Sequence, residues 1–233
     1  MYEKLKQKVC SANLKLPEHN LVTFSWGNVS EIDRSKDAVA IKPSGLPYEQ
    51  LTKEKIVVVD LDGKVLKGDL KPSSDTPTHL ELYRQFESIG GICHTHSLYA
   101  TIWAQACREI PCFGTTHADY FRGSIPVTEK MTDEQIKEDY EANTGKVIVR
   151  RFAGIDPMEI PAVLVANHGP FTWGGSAEQA VHNAIVLELV AQMALGTISI
   201  NPRQKKIWRR LLDQHFLRKH GKNAYYGQNK KEK

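Results

Sequence analysis

The segment Gly91-Ile92-Cys93-His94-Thr95-His96-Ser97 places two histidines two residues apart, behind a short apolar run. In an extended strand, side chains at positions i and i+2 share a face. We therefore predict a strand that points His94 and His96 in the same direction. Two converging neutral imidazoles form half of a tetrahedral or octahedral metal site. A His-x-His pair also occurs as two polar residues at a strand end, so further ligands must decide between these interpretations.

Two other residues can complete such a site. His168 follows a predicted buried strand and precedes Gly169-Pro170, which restrict the backbone. Asp75 stands just before a predicted helix and offers a carboxylate. Three imidazoles and one carboxylate suit Zn²⁺ or another divalent first-row ion, such as Mn²⁺ or Co²⁺. The ion would act as a Lewis acid on a carbonyl or enediolate oxygen. The alternative for His168 is an ordinary surface loop residue.

Several small or basic residues could bind an anion. Thr76 suits a helix N-cap and Pro77 the first helical position. Exposed amides and hydroxyls at that helix start suit phosphate, although ordinary capping explains them equally well. None of the candidates is specific alone: they are Gly27, Asn28, Lys42, Ser44, Gly45, Ser73 and Ser74.

Two further residues are candidates for proton transfer. Asp119 lies in the polar segment Thr115-Thr116-His117-Ala118-Asp119-Tyr120, and a carboxylate near a divalent metal can move protons. The alternative is a loop in which Asp119 caps a turn. Tyr226, close to the end of the chain, could donate a proton through its phenol. The alternative is a tyrosine that packs on a neighbour or frays.

These residues must be positioned by a fold that mixes strands and helices along the whole chain, which indicates a single α/β domain. We expect that domain over residues 1–228 and a disordered basic tail over 229–233. Capping boxes are predicted at Thr132/Gln135 and Ser176/Gln179. The predicted strands cover 23–30, 38–41, 56–60 and 161–166. Two helices are predicted to end at Pro17 and Gly196. A last helix is predicted to begin at Asn201-Pro202 and to end at Gly221. The residues of its predicted inner face are Ile207, Trp208, Leu211, Leu212 and Phe216.

Composition narrows the class of protein. The 233 residues are 41% hydrophobic and 25% charged, typical of a soluble globular chain. We find no apolar run of membrane-spanning length and no secretion signal, and four cysteines without framework spacing indicate reduced thiols in the cytoplasm. Residues 203–233 carry a balance of +9 and residues 1–202 one of −5. Because no recognition motif accompanies that basic end, we expect neither nucleic acid nor a membrane as partner.

Taken together, the motifs resemble the class II aldolase/epimerase family, and its epimerases more than its aldolases. The resemblance covers nearly the whole chain, from Trp26-Gly27-Asn28 to Tyr225-Tyr226-Gly227-Gln228. Its specific parts are Lys42-Pro43-Ser44-Gly45, Pro72-Ser73-Ser74-Asp75-Thr76-Pro77-Thr78-His79, His94-Thr95-His96-Ser97, Thr115 to Tyr120, Asn167-His168-Gly169-Pro170 and His182-Asn183-Ala184.

The resemblance implies a three-layer α/β/α fold with a largely antiparallel central sheet, and a homotetramer with active sites between subunits. It places Asp75, His94, His96 and His168 at metal positions. The seven small and basic residues named above fall at substrate and phosphate positions. Asp119 falls at one acid/base position, and Tyr226, donated by the neighbouring subunit, at the other, on the opposite side of the substrate. Thr116, Glu141 and His215 fall at supporting positions.

The implied reaction interconverts L-ribulose 5-phosphate and D-xylulose 5-phosphate at C4, by retro-aldol cleavage and re-addition. Arabinose use and ascorbate-type pathways both employ such enzymes, and the sequence does not separate them. A sugar-phosphate aldolase of the L-fuculose-1-phosphate type is the first alternative, although such aldolases have a glutamate where this chain has Asp75. The second is a non-enzymatic interaction module, which is expected to lack the metal ligands. A nucleic-acid binder is the third.

Overall fold

A computed structural model describes residues 2–222 and 224–226 of the chain. One seven-stranded sheet has the order β4-β3-β2-β1-β5-β7-β6, and each neighbouring pair runs antiparallel. The strands are β1 (Asn28–Asp33), β2 (Ala38–Ile41), β3 (Val57–Asp60), β4 (Val65–Lys67), β5 (Gly91–His94), β6 (Ala162–Leu164) and β7 (Pro170–Gly174). The helices of the described part are α1 (Glu3–Glu18), α2 (Thr76–Gln85), α3 (Leu98–Gln105), α4 (Thr115–Ala118), α5 (Asp133–Arg151), α6 (Ala177–Ile200) and α7 (Arg209–His220), with 3₁₀ turns at Tyr48–Gln50 and Lys53–Lys55.

Alternating side chains of the strands build two apolar layers, one on each face of the sheet. On β2, Ala38 and Ala40 pack with α1 and the start of α6, whereas Val39 packs with α2 and α5. Side chains of consecutive strand residues point to opposite faces, and β2, which is buried on both faces, is apolar at every position. The predicted three-layer α/β/α fold with an antiparallel central sheet is confirmed.

The register of the strands places polar residues at one end of the sheet, on the face that α2 and α5 cover. Asn28 of β1 is paired with His94 of β5, and His94 is paired with Phe171 of β7. Residues directly opposite one another on neighbouring strands point to the same face. The end of the sheet near these three residues is therefore where the N-terminus of α2 can meet the histidines.

Several predicted element ends are wrong. The strand predicted over 23–30 begins at Asn28, and β5 ends at His94, so His96 lies outside it. α1 contains Pro17 in its last turn. α6 continues past Gly196, because Ile198 beyond it still packs on the apolar cluster of α3 and β6.

The last helix also differs from its prediction. α7 begins at Arg209 rather than Asn201, since Ile207 is held in an irregular segment by its backbone bond to Cys112 O at 2.8 Å. Leu212 and Phe216 are buried as expected, but Trp208 and Leu211 of the predicted inner face are 81% and 38% exposed. Gly221 caps the helix as predicted. The tail predicted for 229–233 lies outside the described residues.

Two of the three predicted threonine or serine caps, Thr132 and Ser176, are present; the third is wrong, because Thr76 is the first residue of α2 and Asp75 takes the N-cap position. Thr132 and Gln135 form a full capping box on α5. On α6 the Ser176 hydroxyl accepts from the Gln179 amide, but the Gln179 side chain accepts from Gly175 instead of Ser176. The second motif is thus a single cap rather than a reciprocal box.

α6 is long and apolar enough to cross a membrane by length and composition, which corrects the expectation that no segment is. In the fold, its residues Ala180, Val181 and Ala184 are buried in the layer that covers β1 and β5. We therefore interpret α6 as a layer of the domain.

Candidate metal and phosphate site

His94 anchors the site at the end of a central strand. It is 2% exposed, its ring stacks on Phe171 at 4.1 Å between centroids, and its Nδ1–H donates to Pro170 O at 2.9 Å. That hydrogen bond places the proton on Nδ1 and leaves the lone pair on Nε2. A Cβ on Gly27 would lie 2.8 Å from His94 O, so only glycine permits the loop before β1 to approach this closely.

His96 and His168 complete a cluster with His94. Ring nitrogens of the three histidines lie within 4.8 Å of one another, and the Nε2 atoms of His94 and His96 are 3.1 Å apart. Two imidazole nitrogens about 2.0–2.1 Å from one ion would be separated by roughly 3 Å. Although His96 lies outside β5, the predicted convergence of the imidazoles is present.

Two members of the cluster, His96 and His168, are held in the neutral form. Burial, with the nearby His94, lowers the pKa of His96 to about 4. Burial and the proximity of His94 and His96 lower the pKa of His168 to about 3. Neutral imidazoles are the form that binds metals, so this donor set fits a divalent cation of the kind that imidazole prefers.

His168 is placed by a tight turn between β6 and β7. Asn167 has a φ of +62°, and His168 N donates to Val165 O. A Cβ on Gly169 would come 2.9 Å from Thr95 O, so this position brings the turn against the segment that carries His96.

Tyr140 is a partner of the cluster that the sequence analysis missed. Its hydroxyl lies 3.2 Å from His168 Nδ1 and can accept that N–H, which leaves His168 Nε2 free. Tyr140 reaches this position because α5 is kinked at the preceding residue, Asp139. A polar sequence with low helical periodicity gave no signal for that kink.

Asp75 is the N-cap residue of α2 beside the cluster, but it is not within the 4.8 Å that joins the three histidines. Its Oδ2 accepts from Asn28 Nδ2 at 2.7 Å. Burial raises the pKa of Asp75, but His94, His79 and the Asn28 hydrogen bond together lower it below its usual value. Asp75 is therefore ionised beside the imidazoles, and its role as a fourth ligand stays a prediction.

The candidate phosphate residues come from three segments that the fold joins. Lys42 Nζ donates to Ser25 O at 3.1 Å, Ser73 N donates to Lys42 O at 3.0 Å, and Asn28 Nδ2 donates to Ser73 Oγ at 3.1 Å. Ser44 N donates to Lys71 O at 3.0 Å. Gly27, Gly45 and Ser74 belong to the same three segments, and Ser44, Gly45 and Ser74 are exposed. The three segments that carry the predicted anion residues thus meet beside Asp75; we call them the cradle, and anion binding there stays a prediction.

Lys42 is the charged residue of this cradle. The residue is 1% exposed, and burial lowers the pKa of its ammonium to about 8. Its ammonium lies 4.8 Å above the Tyr48 ring, and Tyr48 in turn donates to Trp26 O at 2.8 Å. Among the described residues no carboxylate pairs with Lys42. A buried ammonium without an anionic partner favours an anionic ligand.

Asp119 forms a second polar cluster with α7. It is the C-cap of α4, a helical turn where a loop was the alternative expectation, and it accepts from Arg218 and from His215 Nδ1 at 3.0 Å. Arg218 and Lys219 also lie over the Tyr226 ring, at 4.7 and 4.6 Å. Asp119 and Tyr226 therefore share one cluster within the chain, and their placement relative to a substrate stays a prediction.

Thr116, Glu141 and His215, which are predicted to support the site, lie in different parts of the fold. His215 contacts Asp119 directly. Glu141 follows Tyr140 on α5, and its carbonyl accepts from Thr78 Oγ1 at 2.5 Å, which ties α5 to α2. Thr116 lines a cavity of about 320 Å³ between α4 and α6. Among the described residues, no hydrogen bond or ring contact joins the Asp119 cluster to the three histidines.

Comparison with known proteins places the chain in a family. The sequence model described as Class II Aldolase and Adducin N-terminal domain matches residues 7–195, so the chain belongs to this family. An L-fuculose 1-phosphate aldolase is similar in structure, with 26% identity and a TM-score of 0.77 over 91% of this chain and 94% of that one.

Two other solved structures share the fold at lower identity. YgbL, a putative aldolase/epimerase/decarboxylase from Klebsiella pneumoniae, is 24% identical, with a TM-score of 0.73 over 92% of this chain and 98% of its own. L-fuculose-1-phosphate aldolase from Thermus thermophilus is 22% identical, with a TM-score of 0.65 over 88% of this chain and 99% of its own.

Proposed function

We propose that the protein is a divalent-metal-dependent epimerase that interconverts L-ribulose 5-phosphate and D-xylulose 5-phosphate at C4. The observation that carries the proposal is the convergence of His94, His96 and His168 beside a cradle with one buried lysine. The bound cation would supply Lewis-acid stabilisation of negative charge on the sugar oxygens when the C3–C4 bond is cleaved.

The cradle would hold the phosphate at a fixed distance from the histidines. Asn28 links the two parts, since its amide nitrogen donates both to Asp75 and to Ser73. When a substrate is held at both ends, its carbon chain can be cleaved while Lys42 and the serine hydroxyls of the cradle keep the phosphorylated fragment bound. That fragment can then turn and present its other carbonyl face.

Proton transfer at the C4 hydroxyl is assigned to Asp119 and Tyr226. Because these two residues share Arg218 and Lys219 within one chain, we infer that both reach the metal site of a second copy together. An apolar face of α3 and α6 supports self-association: Leu98, Leu189 and Met193 are 64%, 49% and 52% exposed. We propose a homotetramer, which sedimentation can test, and a cytoplasmic location, since all four cysteines are free.

The test is incubation of the zinc-loaded protein with L-ribulose 5-phosphate. D-xylulose 5-phosphate should accumulate to equilibrium without release of free glycolaldehyde phosphate. Loss of activity with a chelator and its recovery with Zn²⁺, Mn²⁺ or Co²⁺ should accompany the reaction. Unchanged substrate with fully metal-loaded protein would refute the proposal.

An aldolase is the second candidate, favoured by the 26% identity to the L-fuculose 1-phosphate aldolase. The same metal and phosphate groups would serve that reaction, so the two candidates differ in the products. Release of dihydroxyacetone phosphate and an aldehyde from L-fuculose 1-phosphate would favour the aldolase.

A non-enzymatic module is the third candidate, because the family description includes adducin. The intact histidine cluster argues against it. Less than about one equivalent of divalent metal in protein purified without chelators would favour the module.

A further inference from the structure

A buried relay of three polar residues lies under the histidine cluster. His79 Nδ1 is 2.7 Å from Ser30 Oγ, and Ser30 Oγ is 2.8 Å from the Tyr83 hydroxyl. His79, Ser30 and Tyr83 are each 0% exposed. The other ring nitrogen, His79 Nε2, has no hydrogen-bond partner among the described residues. An unpaired buried polar atom of this kind needs an explanation, because its lost hydrogen bonds to water destabilise the folded state.

The direction of the relay follows from Tyr83. If His79 Nδ1 carried the proton and donated to Ser30, one hydroxyl proton, that of Ser30 or that of Tyr83, would have no acceptor in the described chain. In the opposite direction Tyr83 donates to Ser30, and Ser30 donates to His79 Nδ1. Both hydroxyl protons then have an acceptor, and the neutral imidazole carries its proton on Nε2, the atom without a partner among the described residues.

The candidate acceptor for the Nε2–H group is Asp75. His79 follows Asp75 by four residues, so the two side chains lie on one face of α2. Asp75 acts electrostatically on the His79 ring, and His79 acts on the carboxylate in return. Phe171 contacts both His79, at 6.0 Å edge-on, and His94, at 4.1 Å stacked. His79 is thus next to the Asp75 carboxylate, and the Phe171 ring lies between His79 and His94.

We propose that His79 is a positioning residue whose Nε2–H holds the Asp75 carboxylate, through one buried water, in the orientation that binds a divalent cation. Tyr83 and Ser30 fix the tautomer that makes this possible. The inference rests on the metal site of the proposed function. It adds a hydrogen bond to a carboxylate ligand, a type of interaction that sets metal affinity in other sites.

The test compares His79→Gln with His79→Asn in metal-free protein titrated with Zn²⁺ against a chelator. The glutamine amide reaches the place of Nε2 and keeps a donor toward Asp75. The asparagine amide reaches only the place of Nδ1 and leaves no donor there. We expect His79→Asn to weaken Zn²⁺ binding by about 10- to 100-fold and His79→Gln to keep most of the affinity. Denaturant unfolding of the metal-free variants measures their stability separately.

A double-mutant cycle with Asp75→Asn separates positioning from packing. If His79 acts through the carboxylate, His79→Asn should weaken Zn²⁺ binding no further in the Asp75→Asn background. Equal losses in both backgrounds would mean that His79 only packs against Phe171, and would overturn the inference. So would Zn²⁺ affinities of both variants equal to that of the wild type.

The tautomer has its own readout. Long-range ¹H–¹⁵N spectra of the imidazoles in the metal-free protein should show the His79 proton on Nε2, and a proton on Nδ1 would overturn the inference. In Tyr83→Phe the preference for one tautomer should weaken. A wild-type protein that binds no Zn²⁺ would refute the proposed function and this inference together, whereas normal wild-type binding with unaltered variants refutes this inference alone.

Discussion

Arg218 binds Asp119 through two nitrogens of one guanidinium group. Its Nε lies 3.1 Å from Asp119 Oδ1, and its Nη2 lies 2.9 Å from Oδ1 and 2.8 Å from Oδ2. Burial raises the pKa of Asp119, but the hydrogen bonds from Arg218 and His215 outweigh it, so the pKa lies below its usual value. Asp119 is therefore ionised at neutral pH, and Arg218 controls how readily it takes up a proton.

Replacing Arg218 should change the pH profile. In Arg218→Met the carboxylate loses its main donor, so the pKa of Asp119 should rise and the acid limb of the activity profile should move to higher pH. The measurement is kcat/KM against pH for both proteins. If the acid limb stays at the same pH while the activity falls, protonation of Asp119 does not cause that limb.

Asp119→Asn should lose about 10²–10⁴-fold in kcat, since a positioned acid or base contributes that much to a rate. Bound metal should be unchanged, because no described contact joins Asp119 to the three histidines. Asp213→Asn is the matched control: Asp213 is also an ion-paired carboxylate at α7, bound by Arg122 and Arg209. Near-normal turnover of Asp119→Asn would remove this residue from the reaction.

Lys42→Met should raise KM for the phosphorylated substrate far more than it lowers kcat, since the lysine is assigned to binding. In the wild type the Lys42 pKa of about 8 predicts that KM rises as the pH increases above that value and the ammonium loses its charge. The exposed Lys36, paired with Asp33 in the β1–β2 turn, provides the control variant Lys36→Met. Equal KM values for wild type and Lys42→Met would contradict the assignment.

The sequence predicted the site better than the elements that carry it. Histidines spaced by one residue and a histidine before Gly169 are local signals, and the convergence of these three imidazoles follows from the family fold. The end of β5 was not predictable in the same way. His96 lies beyond the strand because the pairing of β5 with β7 ends at Phe171, and that depends on where another strand begins.

Partners that are distant in sequence were not predictable. Arg218 lies 99 residues from Asp119, and nothing in the sequence distinguishes it from the other basic residues around it. Tyr140 depends on a kink inside α5, and His79 on a relay through a separate strand. Helical or strand periodicity carries no information on such contacts, because they depend on how the layers are stacked.

The free energy of unfolding of the metal-free protein should decrease at acidic pH, because its buried histidines are neutral in the folded state. His117 is 4% exposed and donates from Nε2 to Gly123 O, and burial lowers its pKa from 6.5 to about 4. The unfolded chain therefore binds the proton more strongly. This contribution is complete above the unfolded pKa, decreases as the pH falls below 6.5, and is lost below the folded pKa of about 4.

Each such histidine should lower the free energy of unfolding by up to about 1.4 kcal/mol per pH unit in that window. His117→Gln keeps a donor and removes the titration, so its stability curve should be flatter between pH 6.5 and 4 than that of the wild type. Urea unfolding at a series of pH values measures both curves. Parallel curves would show that His117 does not resist protonation.

Gly169→Ala should weaken metal binding without a matching loss of fold. The new Cβ would lie 2.9 Å from Thr95 O and 3.6 Å from His94 Cε1, so the turn that carries His168 must move away from the other two imidazoles. A displacement of a few tenths of an ångström is enough to misplace a ligand whose bond to the metal is about 2.0–2.1 Å long. We expect Zn²⁺ affinity to fall by at least about tenfold, as for altered support of a ligand. Gly196→Ala, with nothing within 4 Å of its Cβ on α6, is the matched control and should keep full affinity. Equal Zn²⁺ affinities of the two alanine variants would mean that the turn relaxes without disturbing the cluster.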